Sequence, residues 1–218
     1  MNDCVIPSIP NVLPLFTPSE SNLASTVLDQ DRKVLLLTAA NVGSGVTTSA
    51  VALAGELARS SHASVLLVDA SPSANSITRR LGLEEHLGFM DLARPGEALD
   101  IEACIVQVED FSCVVMPLGR PRRQDERLES QRLRELFARL GERYRFVVVD
   151  GEAVYASPDT LTISAQANGV ILVVRGEETR WEVAQAAAQR LAQADAKVIG
   201  CIFNARKYYM PKWVYDHF

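Results

Sequence analysis

Six short apolar runs limit what this chain can fold into. They are 33–38 (KVLLLT), 64–69 (SVLLVD), 112–116 (SCVVM), 145–150 (RFVVVD), 169–174 (GVILVV) and 197–203 (KVIGCIF), the third being the weakest. Their length and β-branched content mark them as strands. Apolarity runs on without alternating, so both faces must be covered, as in a mostly parallel central sheet. Amphipathic helical patterns fall between them. Residues 47–60 are rich in Ala and Leu, with Thr47 or its neighbour expected to cap the start. Residues 127–143 carry Leu128, Leu133, Leu136, Phe137 and Leu140 on one stripe, and 178–194 carry Val183, Ala187 and Leu191. This order predicts an α/β, doubly wound, mostly parallel sheet flanked by helices, with right-handed crossovers. Ligands then sit beyond the carboxyl ends of strands, after Thr38, Asp69, Asp150 and Phe203.

With 218 residues, 48% of them hydrophobic, the chain suffices for one core. We expect a proline-rich arm and short helix at 1–32, a folded domain at 33–204 and an aromatic tail at 205–218. The net charge of −5 argues against nucleic acid as a partner, since phosphates require a basic face. Cys4, Cys104, Cys113 and Cys201 lack paired short spacings, which fits a reducing compartment. Cys113 and Cys201, inside apolar runs, are expected to be buried. No run approaches the roughly 18 apolar residues of a membrane span. The first residues lack the pattern of a signal peptide, and Pro7, Pro10, Pro14 and Pro18 suggest an extended arm. A cytoplasmic location follows as an expectation.

Chemistry concentrates after the first strand, in Ala39-Ala40-Asn41-Val42-Gly43-Ser44-Gly45-Val46-Thr47-Thr48. Glycines let backbone N–H groups curl around an anion, and a helix N-terminus adds its positive end. A Walker A loop reads GxxxxGK[ST]. Here Ala40 stands at the first glycine, Gly45 at the second and Thr47 at the magnesium-binding hydroxyl. Val46 stands at the lysine. Valine offers neither charge nor donor. A charged hydrogen bond contributes about 1.5–3 kcal/mol, and one lost oxyanion donor slows a reaction roughly 10²–10³-fold. Gly43, Ser44, Gly45, Val46, Thr47 and Thr48 remain candidates to bind a phosphate; a plain strand-to-helix turn is the competing reading.

From 33 onward the chain resembles the MinD/ParA-like group of P-loop proteins, and within it the CpsD/CapB branch of bacterial tyrosine kinases of polysaccharide synthesis. The segments are Val42–Thr48, then Val65-Leu66-Leu67-Val68-Asp69-Ala70, then Leu81-Gly82-Leu83 with Gly88-Phe89-Met90-Asp91-Leu92. Met116-Pro117-Leu118-Gly119, Phe146–Asp150, Ser157-Pro158-Asp159 and Gly200-Cys201-Ile202-Phe203-Asn204 follow in the family's order. The resemblance implies ATP or ADP with Mg as cofactor, Thr47, Asp69 and Asp150 around the metal, and Asn204 against the base. It also implies a Wzz-like membrane polysaccharide co-polymerase or export protein as partner, with homo-oligomers and a place at the inner membrane face. The departures are Val46 and Asn41 for two lysines, Ser71 and Ser73 for an aspartate and an arginine, and Gly151-Glu152-Ala153 for Thr-Pro-Pro. Glu20–Asp31 contains no arginine, so the family's N-terminal oligomerisation helix is missing. Together these imply a catalytically degenerate member without confident catalytic residues (Val46, Asp69 and Asp150 being the altered or inherited positions), with no cofactor as the other possibility. An active autokinase or ATPase borrowing Lys207, and a MinD/ParA-like localisation factor, are the alternatives.

Asp69 and Asp150 have a competing role as helix caps, and Asp159 is expected to brace a helix. Tyr208, Tyr209 and Tyr215 belong to an aromatic tail suited to docking or phosphorylation. Arg120, Arg122, Arg123, Arg127, Arg132 and Arg134 interleave with acids and are expected on a solvated helix face. His62, His86 and His217 show no metal spacing.

Overall fold

The computed structural model of the chain describes residues 33–96, 100–109, 111–120 and 126–205. The arm and the tail, with Lys207, lie outside the described residues. Seven strands form one sheet: β1 (Val34–Ala39), β2 (Val65–Asp69), β3 (Val106–Gln107), β4 (Val114–Met116), β5 (Phe146–Asp150), β6 (Gly169–Arg175) and β7 (Val198–Asn204). Their order is β3-β4-β2-β5-β1-β6-β7. All pairings are parallel except β3 with β4. The predicted architecture is therefore the observed one. β3 went unforeseen, because two residues carry no period.

Strand alternation sends side chains to two cores. Leu35, Leu37, Val148 and Ile171 pack with Leu53 and Leu57 of helix α1 (Val46–Ser61). Leu36, Val147 and Val149 face the other way. There α3 (Phe89–Leu92) precedes α4 (Ser130–Arg143), whose Leu133, Leu136 and Leu140 are fully buried, whereas α2 (Ile77–Arg80) buries Ile77 in the α1-side core. Phe89 stacks on Phe137 with ring centroids 6.3 Å apart. Helices α5 (Asp159–Gln166) and α6 (Trp181–Gln193) complete that layer. The expected start of the last helix at 178 is a turn instead, and the helix begins at Trp181.

Two expectations are corrected. Cys113 is buried, but Cys201 is exposed, because β7 is the sheet's edge and its neighbours Val198 and Phe203 are 37% and 53% exposed. An apolar run on an edge strand is not covered on both faces. The arginine segment is not merely solvated. Arg120 Nε donates to Asp91 Oδ1 at 2.6 Å, and Arg132 Nε donates to the Leu92 carbonyl at 2.9 Å. Arg122 and Arg123 lie outside the described residues.

Asp91 is the hub of this second contact set. It also accepts from Arg94 Nη1 (2.9 Å) and from the N–H groups of Gly88 (3.0 Å) and Arg120 (3.1 Å). Burial pushes its carboxyl up, but the Arg120 guanidinium and these N–H groups outweigh it and hold it below its ordinary 3.8. Such a carboxylate stabilises the fold above its unfolded value and loses that contribution as pH falls through the folded one. Asp91→Ala is expected to cost about 2–3 kcal/mol at neutral pH. In thermal melts the gap between wild type and variant should close below about pH 4.

Candidate functional site

The carboxyl ends of β1, β2, β5 and β7 converge where the sequence placed its candidates. After β1 the chain turns through Ala40–Gly45 and enters α1. Gly43 and Gly45 have φ of +85° and +91°, conformations that other L-residues resist. Gly45 is the N-cap and no side chain caps α1, so the expected Thr47 cap is not formed. Thr47 and Thr48 lie in the first helical turn, half-buried. Helix geometry leaves the first four N–H groups without intrahelical partners, which is the anion-binding property of such a turn.

The loop is braced from outside. Ser44 Oγ donates to the Asn41 carbonyl at 2.8 Å. Arg175 Nη1, at the end of β6, donates to the Gly43 carbonyl at 3.0 Å, and Asn204 Nδ2, at the end of β7, donates to the Ser44 carbonyl at 3.0 Å. The resemblance implied Asn204 against a base; here its amide holds the loop's backbone. A Cβ on Gly45 would overlap Asn204 Nδ2. Gly45→Ala should therefore cost roughly 1–2 kcal/mol through its left-handed backbone alone. The variant should show a lowered melting temperature and no thermal shift with nucleotide.

Val46, the first residue of α1, packs its half-buried side chain on the α1-side core. No lysine stands at that turn. Lys33 immediately precedes β1, at the opposite end of the strand from the loop.

Asp69 and Asp150 lie side by side on β2 and β5, paired in register, both 0% exposed. Their surroundings differ. Asp69 Oδ1 accepts from the Ser71 N–H at 3.0 Å; its Oδ2 accepts from the Thr78 N–H at 2.7 Å and the Thr78 hydroxyl at 2.6 Å. Thr78 Oγ1 in turn accepts from the Leu118 N–H at 2.7 Å. Asp69 therefore braces the β2–α2 connection, the capping role weighed for it. Burial raises its carboxyl's pKa against these hydrogen bonds.

Neither oxygen of Asp150 completes a hydrogen bond. Burial, the Asp69 charge and, more weakly, Glu152 push its carboxyl well above 3.8, while the nearby Thr47 hydroxyl and Arg80 ease it. Buried carboxylate oxygens are nearly always partnered, so two orphaned ones beside Thr47 fit a site that receives a cation or its waters. A hard divalent ion with oxygen ligands suits this donor set. Sequence reasoning missed Glu152 as a site group. Its carboxylate accepts from Ser71 Oγ at 3.0 Å, and Thr38 Oγ1 (2.7 Å) and Thr160 Oγ1 (3.1 Å) donate to its carbonyl. The departures from the family pattern at 71 and 152 were visible, but their contact was not. Asp159 opens α5 with its N–H on Ser157 Oγ at 3.2 Å, in keeping with a bracing role.

No family model matches the chain. Tyrosine-protein kinase YwqD of Bacillus subtilis is 26% identical over 187 residues, which cover 86% of this chain and 78% of YwqD. Tyrosine-protein kinase Etk of Escherichia coli is 27% identical over 84% of this chain, but only 25% of Etk is spanned. The chain likewise spans about a quarter of the two Ralstonia EpsB relatives. Among solved structures, the VpsO kinase domain superposes with a TM-score of 0.73 at 27% identity, covering 87% of this chain and 92% of that one. MinD from Pyrococcus horikoshii, solved with Mg-ADP, superposes at 0.63 and 19% identity over 85% of this chain and 76% of that one, a likeness of fold. The fold is that shared by the VpsO kinase domain and by MinD. The curated proteins it resembles carry the name tyrosine-protein kinase.

Proposed function

We propose that this chain is a catalytically silent relative of the polysaccharide tyrosine kinases, serving as a regulatory or scaffolding subunit in exopolysaccharide or capsule synthesis. The observation that carries this reading is Val46, an apolar residue packed into the core at the turn where phosphoryl transfer needs a lysine. Nucleotide with Mg fits what remains: the turn's N–H groups for phosphates, with Thr47 and Asp150 for the metal and Asp69 beside them. When bound, the ion would neutralise phosphate charge. The chain's own residues position and enclose; none of those at the loop supplies a mobile positive charge to a transferring phosphate. Its partner on this reading is a Wzz-like membrane co-polymerase, which would bring it to the inner membrane face. Among the described residues no helix is long and apolar enough to cross a membrane, so such a partner would supply the membrane contact.

The test is to measure ATP turnover and autophosphorylation beside a lysine-bearing relative. Rates at least 10²-fold lower are expected. Comparable rates would defeat the proposal, and their loss in Lys207→Ala would identify a borrowed lysine. Co-purification with a polysaccharide co-polymerase tests the scaffold role, and capture of septum or plasmid-partition proteins in its place would count against it.

A further inference from the structure

Two side chains from one end of the sheet hold the backbone of the glycine loop. Arg175 and Asn204 are register partners at the ends of β6 and β7. Their junction is itself fixed. The Gly176 N–H donates to the Asn204 carbonyl at 2.8 Å. The Arg175 N–H donates to Thr179 Oγ1 at 3.2 Å, and its carbonyl accepts from the Thr179 N–H at 3.0 Å. From this support the two side chains take successive carbonyls of the loop, Arg175 that of Gly43 and Asn204 that of Ser44, each at 3.0 Å.

The peptide group makes this pattern directional. The described peptides are all trans, and in a trans peptide the C=O and the following N–H point opposite ways. Fixing the Gly43 carbonyl therefore turns the Ser44 N–H away from Arg175. Fixing the Ser44 carbonyl turns the Gly45 N–H away from Asn204. Both donors come from the β6–β7 end of the sheet, so both N–H groups face away from it. Successive N–H groups turned to one side form an anion-binding concavity.

We infer that Arg175 is a positioning residue for phosphate at this loop: it holds the Gly43 carbonyl, as Asn204 holds the next one, so that the Ser44 and Gly45 N–H groups are aimed before the anion arrives. This rests on the nucleotide-binding reading above and names the side chain that keeps a loop without a lysine in shape. The guanidinium acts on the carbonyl and does not meet the phosphate. Its Nη1 is spent on Gly43, and its Nε is paired with Glu178 Oε1 at 3.0 Å. A planar fork held at two of its nitrogens has a fixed orientation. The two roles predict opposite signs at Glu178. If Arg175 met the phosphate, neutralising Glu178 would release it and tighten binding. If Arg175 positions the loop, the same change loosens the fork and weakens binding.

The experiment is calorimetric titration of the full chain with ADP in the presence of MgCl₂, at about 0.15 M salt to screen distant charge. Arg175→Gln should bind ADP at least ~10-fold more weakly, and Arg175→Lys, which keeps a charged donor, should recover part of the loss. Glu178→Gln should weaken binding about 2–4-fold. It is judged against Glu182→Gln, which removes the same charge from an exposed position in the first turn of α6. Melting curves without nucleotide identify the folded variants. The Glu178 side chain is 63% exposed, so its variant gives the answer even where Arg175→Gln does not fold. Wild-type affinity in a folded Arg175→Gln, or equal or tighter binding in Glu178→Gln than in Glu182→Gln, overturns the inference and leaves the nucleotide reading standing. Failure of the wild type to bind ADP overturns the nucleotide reading, and the inference with it.

Discussion

Asp150→Asn should melt well above the wild type in the absence of ligand. The wild-type side chain is wholly buried with two unpartnered oxygens, beside the charges of Asp69 and Glu152. An uncompensated buried charge costs on the order of 3 kcal/mol, whereas a neutral amide forfeits only its hydrogen bonds. For a domain of this size the gain corresponds to roughly 6–12 °C. The sign with pH follows from the raised folded value. The folded carboxyl ionises only at higher pH than the unfolded one, whose ordinary value is 3.8, so the stability penalty is absent below that pH. It accumulates as pH rises toward the folded value. Melting curves of the two proteins should coincide near pH 3.5 and diverge through neutrality. The same variant should lose the shift produced by Mg²⁺ with nucleotide. A lower melting point for Asp150→Asn at neutral pH would mean that the carboxylate has a partner within the chain.

The second large effect is expected from Val46→Lys. The substitution costs the packing of a half-buried valine on the α1-side core, about 1 kcal/mol. In return it supplies a charge to a loop already shaped by Gly43 and Gly45 and held by Arg175 and Asn204. A charged hydrogen bond of about 1.5–3 kcal/mol tightens nucleotide binding roughly 10–150-fold. The lysine also answers phosphate charge directly, so affinity in EDTA should rise more than affinity with Mg²⁺. Competitive displacement of a fluorescent nucleotide measures both. Turnover should stay below that of active relatives, because Ser71, Ser73 and Glu152 remain. Unchanged affinity would show that position 46 does not face the phosphates.

Most of the sheet was legible because buried parallel strands are written as unbroken apolar runs. The loop was legible because strand, glycines and helix start are contiguous. What escaped was of two kinds. β3 is too short to carry a period, and Cys201 sits in a run whose apolarity belongs to an edge, which sequence cannot distinguish from a centre. The other kind is contact between distant residues. Asp91 entered only as one residue of a family-like segment, yet it gathers Gly88, Arg94 and Arg120. Ser71 and Glu152 appeared as separate departures from a family pattern, yet they touch. Asp69 and Asp150 were read as equals. Their surroundings differ: Asp69 accepts from three donors, whereas Asp150 has the Thr47 hydroxyl nearby and no completed hydrogen bond.

The bare outer strand has a practical consequence. Cys104 and Cys113 are buried, with thiols pushed up to about 11 and about 12, so neither offers much thiolate at neutral pH. Cys201 is exposed, three residues before the asparagine that grips the phosphate loop. With Cys4 replaced by serine, it becomes a natural attachment point for a single dye. A fluorophore there would report ligand arrival optically, through a strand the ligand itself need not touch.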